Sequence, residues 1–261
     1  MRNYQSGATL IIVLVLLVAI TIVGTLAIRQ SQVGLNIATN SQAQQLMLQN
    51  SDAAFFNVEQ EDNIIQSLSS SGMFGYIDGA ANKDKELVFC YRGVLPNKEN
   101  PKLKTPFFDI SRASIMAWNA PDKSPKNNSL GADGYCSTST VSENFFTSGR
   151  KAVMTQVAVK FSTEAQNDPF YGQILGTDDN TVKLQRSKPV KVFAVSIMPG
   201  LTTVESSKID TCFSSHMNDP TIPDGVSPEG DSEDSVTRCL EKLSVPFQSS
   251  VTEYVIAQDF V

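Results

Sequence analysis

The chain has 261 residues, with 21 Lys and Arg against 27 Asp and Glu and a formal net charge of −6. Nothing in that balance suggests a duplex nucleic-acid surface, which needs clustered Lys and Arg. Beyond the N-terminal apolar segment and its helical continuation about 190 residues remain, enough for one sizeable domain and barely two.

Residues 1–7, MRNYQSG, form a short polar leader with a single Arg and a closing glycine. From Ala8 to Ile28 there follow 21 residues without a charge. As a helix this run spans roughly 30 Å, the thickness of a bilayer core. Three readings compete for it. A cleavable secretory signal has an apolar core of about 7–15 residues, shorter than this one. A retained signal anchor fits the length. A cut after Gly7, ahead of the apolar run, keeps the whole run and leaves Ala8 as a new N-terminus.

The stretch QSGATLIIVLVLL resembles the class III leader of type IV pilins and pseudopilins, in which a polar leader ends in glycine and runs into a wholly apolar helix. The resemblance implies that a membrane-embedded prepilin peptidase cleaves after Gly7 and methylates the amine of Ala8. Ile12 stands at the fifth position after the cut, where major pilins carry Glu. In that family the carboxylate pairs with a neighbouring subunit's N-terminal amine. A charge left unpaired in apolar surroundings is costly, so the pair fixes register. PilX-type minor pilins and the K-type pseudopilin of type II secretion also lack it, which suits a special position such as a filament tip.

From Arg29 the composition shifts to Gln, Ser, Asn and Ala, with no proline before Pro96. Ala43, Met47, Ala54, Val58 and Ile65 recur in steps of four and seven, with Leu46 beside them, as one face of a helix. Ser69-Ser70-Ser71-Gly72 is a stop signal. One helix is therefore predicted from about Ala8 to Ser67, roughly 90 Å long. Gly24 and Gly34 are its weak points, at about 1 kcal/mol each against Ala. The alanine-rich, weakly acidic segment Gln42–Gln60 is similar to the PilX-type pattern.

Past Gly72 the signals change to strand. Glu86–Tyr91, Ala152–Phe161, Pro189–Met198 and Ser250–Phe260 read as strands, the third apolar on both faces and therefore central. Four or so strands with few helical signals imply an antiparallel sheet covered by the amphipathic half of the long helix. Residues 96–135, with five prolines, and 217–235 read as long irregular loops. Cys90, Cys136, Cys212 and Cys239 lack zinc-ligand spacing and read as two disulfides in an oxidising compartment. Three pairings are open. The sequential one, Cys90 with Cys136 and Cys212 with Cys239, is favoured because each bridge then closes a turn-rich segment.

Catalytic signatures are sparse. HExxH, P-loop, GxGxxG and GxSxG patterns do not occur. The single histidine, His216, reads as an exposed loop residue, and the single tryptophan, Trp118, as core. Asp219, Asp224, Glu229, Asp231, Glu233 and Asp234 offer hard oxygen ligands, and Asp219, Asp224, Asp231 and Asp234 are candidate calcium ligands. Their spacing matches no EF-hand, and a solvated acidic loop is the favoured reading. No cofactor is expected beyond that calcium.

The expected fold is α+β and pilin-like: a long N-terminal helix packed on an antiparallel head with disulfide-stapled loops. Its parts are a leader at 1–7, a membrane and assembly half at 8–28, an amphipathic half at 29–71 and a periplasmic head at 72–261. The resemblance implies a minor pilin, closest to the PilX type, with no enzymatic role. It would wait in the inner membrane, join other minor pilins and the major pilin, help to initiate assembly, and end at or near the pilus tip. Adhesion, with a tip adhesin as a candidate partner, twitching motility and DNA uptake are its candidate outlets. The alternatives are a K-type pseudopilin, whose larger heads carry a helical insertion not read here, and a signal-anchored periplasmic enzyme or binding protein.

Overall fold

A computed structural model describes residues 6–78, 82, 84–91, 107–131, 134–139, 152–161 and 186–258. The first element, α1 (Ser6–Glu59), runs without interruption through Gly24 and Gly34. Both glycines lie in open space, so no packing demand singles them out. The helix contains an 18-residue window of mean hydropathy 3.1, long and apolar enough to cross a membrane. The chain divides into two compact units, Met1–Gln45 and Leu46–Val261.

The helix predicted to reach Ser67 stops instead at Glu59. Gln60 adopts an extended conformation, and a second helix, α2 (Glu61–Leu68), begins at once. Neither Pro nor Gly marks the break. It is stabilised locally: the Asn63 side-chain amide donates to the Asn57 carbonyl at 2.8 Å, an acceptor that the end of α1 leaves free. Glu61 and Asp62 in the first turn of α2 suit the positive end of its dipole. Gly72 then admits a tight reversal into α3 (Met73–Ile77); a Cβ there would sit 2.1 Å from the Gln66 carbonyl oxygen.

Six strands follow: β1 (Glu86–Tyr91), β2 (Ala113–Asn119), β3 (Ser124–Ser129), β4 (Met154–Phe161), β5 (Arg186–Ile197) and β6 (Phe247–Gln258). They form one antiparallel sheet in the order β3-β2-β1-β4-β5-β6. The hairpin β2–β3 lies inside the stretch expected to be irregular. Two further helices, α4 (Ser206–Ser215) and α5 (Val236–Lys242), lie between β5 and β6 and were not expected either. The fold is α+β.

The pleat sends alternate side chains to opposite faces of the sheet. On one face Leu87, Phe89, Val157, Val159, Val190 and Val192 pack against Ala54, Phe55 and Val58 of α1 and Met73, Phe74 and Ile77 of α3. On the other, Met154, Val195 and Ile197 pack against Ile209 and Phe213 of α4 and Val236 and Leu240 of α5. Every residue of β1, and all but the last of β4, is consequently buried.

A chain of hydroxyls ties α1 to the sheet inside the first interface. Ser196 on β5 shares hydrogen bonds with Ser51 on α1 at 2.8 Å and with Thr155 on β4 at 2.7 Å. All three residues are fully buried. Ser196→Ala strands two hydroxyls in a dry interface, and is expected to lower unfolding stability by about 1–3 kcal/mol in urea titrations of the full chain in detergent. A loss under about 0.5 kcal/mol would show that the hydroxyls contribute nothing net to the contact.

Candidate functional site

Two regions carry the residues singled out by sequence. The first is the start of α1. Gly7 and Ala8 fall within its first turns, and the first turn holds no acidic residue. Ile12 is 62% exposed and lies in an unbroken series of exposed apolar side chains from Leu10. Residues 1–5 of the leader lie outside the described residues.

The second region is the segment between Cys212 and Cys239. The structure pairs Cys90 with Cys136 and Cys212 with Cys239, with Cα atoms 4.8 and 5.6 Å apart. The loop predicted at 217–235 is therefore closed at its base by a bridge between α4 and α5. Its ends are also joined by the Val236 amide donating to the Met217 carbonyl. At Gly225 the backbone takes a positive φ of 80°, which a turn from Pro223 to Val226 requires.

Loop 217–221 is fastened to the sheet by two buried charges that sequence reasoning missed. Glu86 on β1 accepts hydrogen bonds from the Asn218 amide and side chain at 2.9 and 3.2 Å, and from the Asp219 amide at 2.7 Å. Lys160 on β4, 2% exposed, donates to the Asp219 carbonyl and, at 2.5 Å, to the Thr221 hydroxyl. Burial pushes the Glu86 carboxyl above the usual carboxylate range, while the hydrogen bonds from Asn218 and Asp219 and the nearby Lys160 charge oppose that shift. The sequence did contain a signal. Glu86 and Lys160 are the sole charges of their strands, and a charge buried in a sheet survives only with partners.

Asp210 on α4 performs the same task for residues 137–139. It accepts from the Ser137 hydroxyl at 2.9 Å, from the Thr138 amide and hydroxyl at 2.6 and 2.7 Å, and from the Ser139 amide at 3.1 Å and its hydroxyl. Burial alone would raise this carboxyl, but the bonds from Ser139 and Thr138 outweigh it and hold the group below its ordinary range. Gln156 of β4 links both disulfide segments, accepting from the Cys136 amide at 3.0 Å and donating to the Phe213 carbonyl at 3.2 Å.

The four candidate calcium ligands are not gathered. Asp219 lies 3.7 Å from the Lys160 ammonium and 3.6 Å from that of Lys191. Asp231 and Asp234 both engage Lys242, at 2.8 and 2.5 Å, and Asp224 is exposed at the Pro223–Val226 turn. Among the described residues no group of three or more His, Cys, Asp or Glu side chains is placed to hold a metal ion. Lysines supply the counter-charge here, where calcium would need six to eight oxygens. Glu229 and Ser232 instead anchor the loop by donating, from amide and hydroxyl, to the Lys123 carbonyl at 3.1 and 2.9 Å. Trp118 lies on β2, partly buried, with Pro125 of β3 as its partner in register. His216 follows directly on α4, half-buried rather than exposed.

No family model, curated protein or solved structure matches the chain.

The depressed Asp210 carboxyl fixes a sign. A carboxylate whose folded-state pKa lies below its unfolded value contributes stability above the unfolded value, and loses it as pH falls through the folded one. Asp210→Asn should thus be less stable than the parent by about 1–3 kcal/mol at neutral pH. The gap should narrow as pH falls below about 4. Urea midpoints measured against pH test this, and a gap that does not change with pH would remove Asp210 from the account.

Proposed function

We propose that this chain is a structural subunit, a minor pilin of the PilX type that helps to initiate type IV pilus assembly and takes a place at or near the filament tip. The observation that carries the reading is α1. One uninterrupted helix, Ser6–Glu59, is apolar and exposed over its first half, and its last turns belong to the core of an antiparallel sheet. A chain that only needed an anchor has no use for a helix continued without a break into its own core. The two disulfides agree with an oxidising compartment such as the periplasm.

In this reading the prepilin peptidase cuts after Gly7 and methylates Ala8, and the subunit rests in the inner membrane until assembly. Ile12 offers no carboxylate to a neighbour's amine, so the subunit suits the end of a filament better than its middle. Its partners are other minor pilins and the major pilin, with adhesion, twitching motility and DNA uptake as outlets. The role calls for no catalysis.

A K-type pseudopilin of type II secretion is the second reading, and one feature favours it. The larger heads of that family carry a helical insertion, and α4 and α5 form a helical insertion between β5 and β6. Deletion separates the two. Loss of twitching with exoprotein secretion intact is expected for the pilus, and the converse for the secretion system.

Processing tests the class as a whole. Protein isolated from membranes with an active prepilin peptidase is expected to begin at Ala8 with one added methyl group, by intact mass and N-terminal sequence. Gly7→Val should keep Met1 and abolish piliation. A retained Met1 in the parent protein, whatever the peptidase, would leave a signal anchor and overturn the reading.

A further inference from the structure

β6 is the outermost strand of the sheet, paired through all 12 of its residues with β5 in continuous register. Exposed edges are normally blunted by proline, lysine, a bulge or brevity. β6 is long, its register shows no bulge, and it holds neither Pro nor Lys. Among the described residues nothing pairs with its outer edge. Among the described residues a row of backbone donors and acceptors is left for an incoming strand.

The side chains along that edge describe what fits it. On one face Val251 and Val255, 54% and 64% exposed, flank the exposed Glu253. Glu253 lies opposite Lys191 in the β5–β6 register, but the Lys191 ammonium sits 3.6 Å from Asp219. On the other face Tyr254 and Ile256 border an apolar groove of about 270 Å³ floored by Val58 and Phe74. Its rim carries Glu59, which accepts from the Tyr254 hydroxyl at 3.0 Å. No Lys or Arg lines the groove or lies within β6. The edge thus offers backbone hydrogen bonds, apolar side chains and one carboxylate on each face, Glu253 and the Tyr254-bonded Glu59.

We propose that β6 accepts by strand addition an extended segment of a partner protein, one that sets a Lys or Arg against Glu253 between apolar residues meeting Val251 and Val255. Main-chain bonds give such an interaction its affinity, and alternate side chains give it selectivity. Opposite charges directly across a ladder favour pairing and like charges oppose it. A second copy of β6 is the poorer occupant, because the strand holds no cation to offer Glu253. The inference concerns the head alone and holds whichever assembly α1 serves.

The test uses the full chain in detergent micelles and the acetylated synthetic peptide Ser-Thr-Val-Thr-Lys-Thr-Val-Thr-Ser, whose Lys and two Val share one face, read by hydrogen exchange of the β6 amides and by titration. The peptide is expected to protect β6. A version with central Glu should bind about fivefold more weakly, and one with alternate amides N-methylated should give no protection. Glu253→Lys, an exposed substitution that leaves the core untouched, should invert the preference between the Lys and Glu peptides. The proposal is overturned by absence of β6 protection, by equal protection from the N-methylated peptide, or by an unchanged preference in Glu253→Lys. Protection of β6 that rises with protein concentration, without peptide, would overturn it in favour of self-pairing.

Discussion

The fold rests on a sheet whose central strands are buried on both faces. β1 is buried at every residue, and β4 at all but the last. A sheet buried on both sides needs two covers, and here they come from different parts of the chain. The closing turns of α1 with α3 supply the first. The disulfide-linked helices α4 and α5 supply the second. Each buried valine or phenylalanine contributes roughly 1.5–3 kcal/mol of transfer free energy, so loss of either cover would expose far more apolar surface than the narrow margin of a domain's stability can offset.

The irregular segments are held by a different device. Loop 217–221 and residues 137–139 have few apolar side chains of their own, Met217 being the exception that inserts among Val88, Met116, Ala158 and Phe193. They are instead gripped through their backbone amides by a carboxylate rooted in regular structure, Glu86 on β1 and Asp210 on α4. A carboxylate accepts several N–H bonds at once, which lets a segment with no ladder of its own satisfy its buried amides. Lys160 completes the arrangement at Glu86 by binding the carbonyl side of the same loop.

Strands β1, β4, β5 and β6 were legible because their apolar residues alternate or run unbroken over the right length. The hairpin β2–β3 was not, since β3 reads SPKNNS, which has little intrinsic preference for a strand. It is a strand because β2 pairs with it residue for residue. Helix α4 presents only Ile209, Cys212 and Phe213 to the core, too few to stand out against the serines around them. The end of α1 at Gln60 carried no breaker, and the bond that stabilises it, an asparagine capturing a freed carbonyl, is local geometry that periodicity does not encode. At the acidic loop the carboxylates were plain in the sequence. The lysines that neutralise them come from β4, β5 and α5, which only the folded chain brings near.

The two disulfides join neighbouring cysteines in chain order, with separations of 46 and 27 residues and no interleaving. A chain emerging from its N-terminus can therefore close each bridge as soon as the second cysteine of the pair appears. An oxidase that joins thiols in order of arrival makes the native set at the first attempt, with no isomerase required to undo a wrong partner. Both cysteines of the first pair precede β5 in the chain, and both of the second precede β6. With such an oxidase the last strand would dock onto a scaffold whose covalent framework is already finished.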